Sequence, residues 1–250
     1  MSASPVTCRG VVIREVAYGE SDKCLTVLTD EYGCIPVFCK GAKSYKSRFF
    51  VCAQLFCYSD LELYVRGDSY WLKECSLIEN FYGIRESIPG CALAQYFCDV
   101  VGDVTRENQK EPEILQLLLN SLHVIAKGVK ELSLVKAVFE MRLCSLAGFM
   151  PDLVGCGACG AYEEEAMCFD ISGGELFCYA HRAHGSENTV KLSPAVAHAL
   201  RYSVYCDAKR LFAFELGEEE LYEFSGIAER YILNHLERSF KTLEFYHTIK

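Results

Sequence analysis

The chain contains 250 residues, of which 51% are hydrophobic, so it can bury a core large enough for two or three modules. No stretch has the roughly 20 uncharged apolar residues of a membrane span, and the N-terminal residues lack the apolar run of a signal peptide, which favours a soluble cytoplasmic protein. In that reducing compartment the fifteen cysteines are expected to be core residues or metal ligands. The net charge of -9 argues against a nucleic-acid partner unless basic residues are concentrated in one region.

The first third of the chain has the pattern of a small β-barrel. Short apolar or alternating runs are separated by turn residues, without a helix of any length between them. The predicted strands are Cys8–Val16, Lys23–Thr29, Cys34–Cys39, Leu55–Val65 and Tyr70–Ile78. Five strands over about 70 residues suit an OB-type barrel, with an SH3-like barrel as the main alternative. We expect Trp71 in the wall or core of this barrel.

A basic loop follows the third predicted strand. Residues 1–82 carry 9 Lys and Arg against 10 Asp and Glu, but the stretch Tyr32–Ser59 contains no acid. The cations of this stretch are Lys40, Lys43, Lys46 and Arg48. They could neutralise phosphates while Tyr45, Phe49 or Phe50 offers a face to a base, which is how proteins hold single strands without reading their sequence. An ordinary solvated loop is the alternative.

After Phe81 the spacing of apolar residues becomes helical. Helices are predicted over Ile88–Val101, Glu111–Lys130, Leu132–Ala147, Ser193–Cys206 and Glu218–Ser239. Their apolar stripes are expected to form the core, whereas Lys136 and Arg142 are expected to be exposed bases. The predicted fold is therefore α+β, with an N-terminal five-stranded OB-type β-barrel in residues 1–82 and an all-helical domain in 83–250, into which a zinc-binding segment is inserted at 150–185.

The most specific motif lies between the third and fourth predicted helices. Cys156-Gly-Ala-Cys159 and Cys178-Tyr-Ala-His181 are two pairs with a two-residue gap, separated by 18 residues. Each pair can close a tight turn on one side of a tetrahedral ion, and the glycines around them allow the chain to turn sharply. The sequence therefore predicts one structural zinc ion held by Cys156, Cys159, Cys178 and His181, with no position left for a substrate.

Other interpretations of these residues stay open. Cys156 and Cys159 could form a redox dithiol, although such motifs start a helix after a core strand and this pair lies in a glycine-rich turn. Cys168 or His184 could replace His181 as the fourth ligand, although Cys168 has the pattern of a buried strand cysteine. With fifteen cysteines, a pair with this spacing also arises easily by chance.

No catalytic constellation is recognisable in the sequence. The chain has no GxSxG elbow, no GxxxxGK[ST] phosphate loop, no GxGxxG after a strand and no HExxH motif. A zinc deaminase would need His-x-Glu before a Pro-Cys-x-x-Cys pair, and neither element is present. We therefore expect a nucleic-acid-binding protein and not an enzyme. The alternatives are a zinc-stabilised protein-interaction adaptor that does not bind DNA, and a thiol oxidoreductase that uses the first cysteine pair.

Several short segments, in a fixed order along the chain, carry a family resemblance. In the first half they are Tyr18–Asp22, Leu25–Thr29, Gly33, Lys40–Lys43 and Ser47–Phe49. In the second half they are Phe139–Leu143, Ala147–Pro151 with the first cysteine pair, and His235–Leu243. This order resembles that of bacterial RecO recombination mediators over nearly the whole chain. Many relatives with zinc use four cysteines, so His181 in the last position is a departure from the family pattern.

The resemblance implies a DNA-repair and recombination mediator without catalysis, located in the cytoplasm with the nucleoid. Such a protein binds single- and double-stranded DNA, anneals complementary strands and, with RecR, helps RecA to load on DNA coated by single-strand-binding protein; RecF is a further implied partner. By position, Lys40, Lys43, Lys46 and Arg48 correspond to DNA-binding residues of the barrel. Lys136 and Arg142 are candidates for the groove that receives the acidic, hydrophobic-ended C-terminal tail of single-strand-binding protein.

Overall fold

The computed structural model describes residues 5–67, 69–162, 166–182 and 188–249. The chain divides into two compact units. Unit 1 consists of the residues up to Gly128 together with those from Phe240 onward, and unit 2 spans Val129–Ser239. The predicted domains, residues 1–82 and 83–250, follow the change from strands to helices and stay a prediction. None of the described helices combines the length and the apolar character that crossing a membrane requires.

Unit 1 begins with a closed barrel of five strands. They are β1 (Pro5–Tyr18), β2 (Asp22–Thr29), β3 (Gly33–Cys39), β4 (Tyr58–Arg66) and β5 (Ser69–Glu79), in the order β1-β2-β3-β5-β4. Neighbouring strands are antiparallel except for β3 and β5, which are parallel. The predicted OB-type barrel is confirmed, and each predicted strand overlaps an observed one.

Side chains of the barrel strands alternate between the core and the outer face. In β3, Val37 and Cys39 belong to the barrel core, and Phe38 between them faces outward. In β5, Trp71 lies between two core residues and also faces outward, half-buried. Trp71 is therefore part of the barrel wall, one of the two positions predicted for it, and its ring is on the outside.

In the described part of the chain, six α-helices follow the barrel. They are α1 (Ile88–Val104), α2 (Pro112–Lys127), α3 (Leu132–Leu146), α4 (Pro194–Tyr205), α5 (Glu218–Leu236) and α6 (Lys241–Ile249). Two of their starts have a serine cap, since the Ser87 hydroxyl accepts the N–H of Gly90 at 3.1 Å and the Ser193 hydroxyl accepts that of Val196 at 3.3 Å. The helical region predicted after the barrel is thus confirmed.

The C-terminal end of the chain differs from the prediction. A single helix was expected to reach Ser239, but α5 ends at Leu236 because Glu237 adopts a left-handed conformation with φ of 50°. The chain then starts α6, which packs against α1 in unit 1. Phe240 meets Tyr96 of α1 edge to face at 5.7 Å, so the last helix completes the core of unit 1.

Unit 2 contains α3, α4 and α5 together with a small sheet. The sheet strands are β6 (Asp152–Cys156), β7 (Met167–Asp170), β8 (Glu175–Cys178) and β9 (Thr189–Leu192), in the order β6-β8-β7-β9. Of this sheet, the sequence indicated only a strand around Cys168. Because β6 and β8 end at the first residue of each predicted metal-binding pair, this sheet is the element that positions the pairs.

Candidate metal centre and nucleic-acid interface

The arrangement of two sheet strands brings the predicted metal ligands together. Strand β6 ends at Cys156 and strand β8 ends at Cys178, and the two strands are parallel neighbours. Parallel neighbours end at the same edge of a sheet, so the turns that follow them emerge side by side. One turn carries Cys159 and the other carries His181. Two distant pairs in the sequence therefore meet at one edge.

The four donor atoms lie at distances that suit one tetrahedral ion. The sulfurs of Cys159 and Cys178 are 3.9 Å apart, and Nδ1 of His181 lies 3.1 Å from the Cys178 sulfur. All four donor atoms lie within 4.8 Å of one another. A tetrahedral ion with zinc–sulfur bonds sets two sulfurs about 3.8 Å apart. Cys156, Cys159, Cys178 and His181 could therefore hold a metal ion, and three thiolates with one imidazole are a donor set suited to zinc.

The backbone of both turns stabilises a thiolate at this edge. Burial acts to raise the pKa of Cys156, but backbone N–H groups, those of Cys178 and Cys159 among them, bring it down to about 6. The first turn closes with the N–H of Gly160 donating to the carbonyl of Cys156 at 2.7 Å. Gly160 has φ of 74°, a conformation that a side chain disfavours. Because metal binding needs a deprotonated thiol, this turn is arranged for a cation.

Two of the alternative interpretations can be compared with these positions. Cys168 is buried in β7 and is not part of the donor cluster, as expected for a strand cysteine. His184 lies outside the described residues. Cys156 and Cys159 are followed by a turn and not by a helix, so they lack the local structure typical of a redox dithiol.

Arg201 of α4 anchors the metal-binding segment, and sequence reasoning missed it. Its buried guanidinium donates from Nε to the carbonyl of Leu153 at 2.7 Å and from Nη2 to that of Tyr162 at 2.6 Å. Leu153 precedes the first cysteine pair and Tyr162 follows it, so Arg201 holds both sides of this turn. An arginine on a helix is usually exposed, and only its place among apolar residues of α4 could have indicated burial.

The basic loop, residues 40–57, is fixed against the β1–β2 turn at one end of the barrel. The N–H of Lys43 donates to the carbonyl of Ser21 at 3.0 Å, and its Nζ donates to that of Gly19 at 2.6 Å. The Asp22 carboxylate accepts the N–H of Gly41 at 2.8 Å, a bond that lowers the pKa of this carboxyl. These contacts hold the first part of the loop in a defined position.

The four cations of the loop differ in how accessible they are to a phosphate. Lys40 and Lys46 are exposed, and each Nζ lies beside an aromatic ring, 5.3 Å from the centroid of Trp71 and 5.6 Å from that of Tyr45. Lys43 is half-buried by its bond to the β1–β2 turn. Arg48 donates to the carbonyl of Lys73 at 2.7 Å and lies 4.0 Å from the Glu74 carboxylate, which reduces its availability to a phosphate.

The three loop aromatics that could face a base also differ. Tyr45 is 76% exposed and Phe50 is half-buried, so both have free ring surface. Phe49 is 7% exposed and belongs to the barrel core. The prediction that Phe49 could offer a face to a base is therefore wrong, because its ring fills the barrel interior.

Carboxylates are concentrated beside the opposite end of β2. A recess of about 680 Å³ opens beside the β2–β3 turn. Its lining includes the carboxylates of Asp30, Glu31, Asp60, Glu62 and Glu74. Four of these carboxylates are paired with cations. The pairs are Asp60 with Arg9 at 3.0 Å, Glu31 with Lys110 at 2.5 Å, Glu62 with Lys73 at 2.5 Å and Glu74 with Arg48 at 4.0 Å. These pairs reduce the negative charge of the recess, and Glu74 brings its margin next to Arg48 of the basic loop.

Comparison with known proteins matches both halves of the chain to one family. The model described as "Recombination protein O N terminal" matches residues 1–81, and "Recombination protein O C terminal" matches residues 85–244. The chain belongs to the RecO family. The "DNA repair protein RecO" of Acetivibrio thermocellus is 34% identical over 240 residues, which cover 96% of this chain and 95% of that protein.

Further RecO relatives agree with this assignment. That of Alkaliphilus metalliredigens is 29% identical over 241 residues, covering 96% of this chain and 97% of the relative. That of Listeria monocytogenes is 32% identical over 191 residues, covering 74% of each chain. Membership in the RecO family places the chain in DNA repair and recombination. The descriptions of the family and of these relatives name no catalytic activity.

The two bases assigned to a RecO partner groove do not have the expected exposure. Lys136 is 1% exposed and forms ion pairs with Glu140 at 3.0 Å and Glu229 at 2.7 Å. Arg142 is half-buried and donates to the carbonyls of Val204 and Cys206, next to the end of α4. The prediction that Lys136 is an exposed base is wrong, because the carboxylates that compensate its charge lie inside unit 2.

Proposed function

We propose that this chain is a recombination mediator that binds single- and double-stranded DNA, anneals complementary strands and, with RecR, assists RecA loading on DNA coated by single-strand-binding protein. Its mechanism is physical and not covalent. The basic loop holds one strand by its phosphates and reduces the repulsion that a second strand experiences as it approaches. Base edges stay free to pair because the contacts are made to the backbone.

The observation that carries this proposal is the position of the basic loop. Lys40, Lys43 and Lys46 lie in a stretch without acids, in a loop held against the β1–β2 turn of a closed barrel. Counterion release by a few lysines gives an affinity that falls steeply with salt. On a chain with net charge -9, such binding is confined to one region.

The test is the salt dependence of single-strand binding, measured by fluorescence anisotropy with a labelled oligonucleotide. The variant is Lys40→Ala with Lys46→Ala, because these two lysines are exposed. We expect weaker binding and a slope of log affinity against log salt that is smaller by roughly 1.4, since each lost phosphate contact on a single strand contributes about 0.7.

The matched control is Lys127→Ala with Lys209→Ala, which removes two exposed lysines outside the loop and gives the same change in net charge. We expect this control to keep the wild-type slope. An equal slope in both double variants would exclude the loop as the DNA contact. Complete lack of DNA binding by the wild-type chain would instead favour the protein-interaction adaptor.

The proposed metal is one structural zinc ion. The donor set of Cys156, Cys159, Cys178 and His181 fits zinc, and four protein ligands leave no open position for a substrate. The metal would link the turn after β6 to the turn after β8, and such a bond between distant segments of the chain adds to the stability of their sheet. The role of the ion is therefore to hold unit 2 together and not to react.

The proposed partners besides DNA are RecR, the C-terminal tail of single-strand-binding protein, RecA and RecF. For the tail, Arg142 stays a candidate contact, and Lys136 is no longer proposed because it is buried. An acidic tail that ends in apolar residues needs a cation beside an apolar groove. Titration of the chain with a peptide of that composition, compared between wild type and Arg142→Gln, tests this contact.

A further inference from the structure

A row of aromatic rings crosses the outer face of the barrel. Phe38 of β3 and Trp71 of β5 are stacked, with ring centroids 4.9 Å apart and an interplanar angle of 26°. Tyr18 of β1 meets Phe38 edge to face at 5.5 Å. We call these three residues the aromatic ladder. Tyr18 is 55% exposed, and the other two are half-buried, so each ring has surface that the protein does not cover.

The ladder is not needed to fill the barrel. Phe38 and Trp71 are direct partners in the β3–β5 register, and their inward-facing neighbours, such as Val37 and Tyr70, already form the core. A soluble sheet usually places polar residues on its outer face. Large rings at these positions therefore indicate a surface that binds a flat, apolar group.

Positive charge borders the ladder on the side of the basic loop. Lys40 directly follows β3, and its Nζ lies 5.3 Å from the centroid of the Trp71 ring. The nearby acid Asp22 is engaged with the backbone of the loop through Gly41, and so does not face the rings as a free charge. Flat apolar rings next to lysines match a ligand that has flat rings and phosphates in alternation.

We propose that the aromatic ladder stacks unpaired bases of single-stranded DNA while Lys40 and its neighbours in the basic loop contact the phosphates. This inference rests on the proposed DNA binding and adds how the bases are held. Stacking uses the faces of the bases and leaves their pairing edges free, which suits annealing. Bases of a duplex are already stacked on one another, so the ladder favours single strands over duplex DNA.

Trp71 is the only tryptophan in the chain, so intrinsic fluorescence reports on the ladder directly. Three DNA ligands of equal length are titrated: a single-stranded oligonucleotide, its duplex, and a single strand with abasic sites that has the same phosphates without bases. We expect strong quenching of Trp71 by the first and little by the other two. Equal quenching by the abasic strand would overturn the stacking.

Variants then test how much the rings contribute to affinity. We expect Phe38→Leu, Trp71→Leu and Tyr18→Leu each to weaken single-strand binding roughly 5-fold or more in anisotropy, with an unchanged salt slope, because stacking involves no counterions. Trp71→Phe keeps a ring and should retain most of the affinity. Tyr82→Leu, which removes an exposed ring of unit 1 outside the barrel strands, is the control and should bind like wild type.

Thermal melting of each variant separates folding from binding, and Tyr18→Leu is informative even if the other two leucine variants unfold, because Tyr18 is the most exposed ring. Wild-type affinity in the leucine variants would exclude the ladder while leaving DNA binding by the basic loop intact. Failure of the wild-type chain to bind any DNA in anisotropy would reject the proposed function as well. The two failures are therefore distinguishable.

Discussion

Lys136 shows how the packing of unit 2 depends on single buried charges. Its ammonium lies between the carboxylates of Glu140 on the same helix and Glu229 on α5, and Glu140 is fully buried. Two buried charges stabilise each other. Removal of one partner destabilises the fold much more than replacement of both by apolar residues. This group joins α3 to α5.

Lys136→Met should therefore reduce the free energy of unfolding by about 3–5 kcal/mol, because it removes the cation that faces Glu140. Urea unfolding followed by circular dichroism measures the change. The double variant Lys136→Met with Glu140→Leu should recover much of the loss. If Lys136→Met alone is as stable as wild type, the ion pair has no structural role.

Residue identity alone did not reveal which arginines and lysines are buried. Lys136, Arg142 and Arg201 lie on helices where basic residues are normally exposed. Each has at least one partner from a distant part of the chain, namely Glu229, Val204 and Leu153 in that order. Their side chains were predictable only as polar positions among apolar neighbours. Which groups lie close enough to pair with these side chains depends on tertiary packing, and the local sequence pattern does not predict that packing.

At the scale of the elements, the small sheet of unit 2 depends on the ligands at the ends of β6 and β8. Cys156→Ser with Cys178→Ser removes two of the four donors and should lower both the bound zinc and the melting temperature. Zinc is measured by atomic emission on the purified protein. The metal contributes to stability because it links the turn after β6 to the turn after β8.

The matched control is Cys168→Ala, which changes a buried cysteine of the same sheet outside the donor cluster. It should keep one zinc per chain even if its packing makes it somewhat less stable. A full zinc content in the double serine variant would contradict the assigned ligands. Insulin-reducing activity lost in that variant would favour the thiol oxidoreductase instead.

The barrel and the longer helices were predictable because their apolar residues have a clear period. The alternation in β3 and the helical stripe of α2 recur over enough residues to exclude other structures. The sheet of unit 2 was not predictable, because its strands have four or five residues and are fixed by Arg201 and the turns. The break at Glu237 lacks the glycine that usually marks a helix end.

The metal ligands were predictable as a set, whereas the aromatic ladder was not. Cys156 and His181 belong to two pairs whose spacing is typical of a zinc site. Phe38 and Trp71 are apolar residues within apolar strands, so the sequence alone does not separate an outward ring from an inward one. Only the register, which makes them direct neighbours, reveals a shared surface.

At the scale of the whole molecule, the C-terminal helix belongs to unit 1 although unit 2 precedes it in the chain. Leu243→Ala should lower the free energy of unfolding by about 2–5 kcal/mol, because Leu243 is buried in unit 1. Phe245→Ala is the control on the same helix and should change stability little, since Phe245 is 53% exposed. Hydrogen exchange of α1 amides measures the effect within unit 1, and equal exchange in both variants would contradict the packing of α6 on α1.

The late position of α6 has a consequence for biosynthesis. The ribosome produces α1 before any part of unit 2 and produces α6 after all of it. While unit 2 is being synthesised, the side of α1 that later contacts α6 is exposed, although the barrel strands have already left the exit tunnel. A nascent chain stalled before Phe240 should therefore present an apolar surface to chaperones, and the finished polypeptide should not.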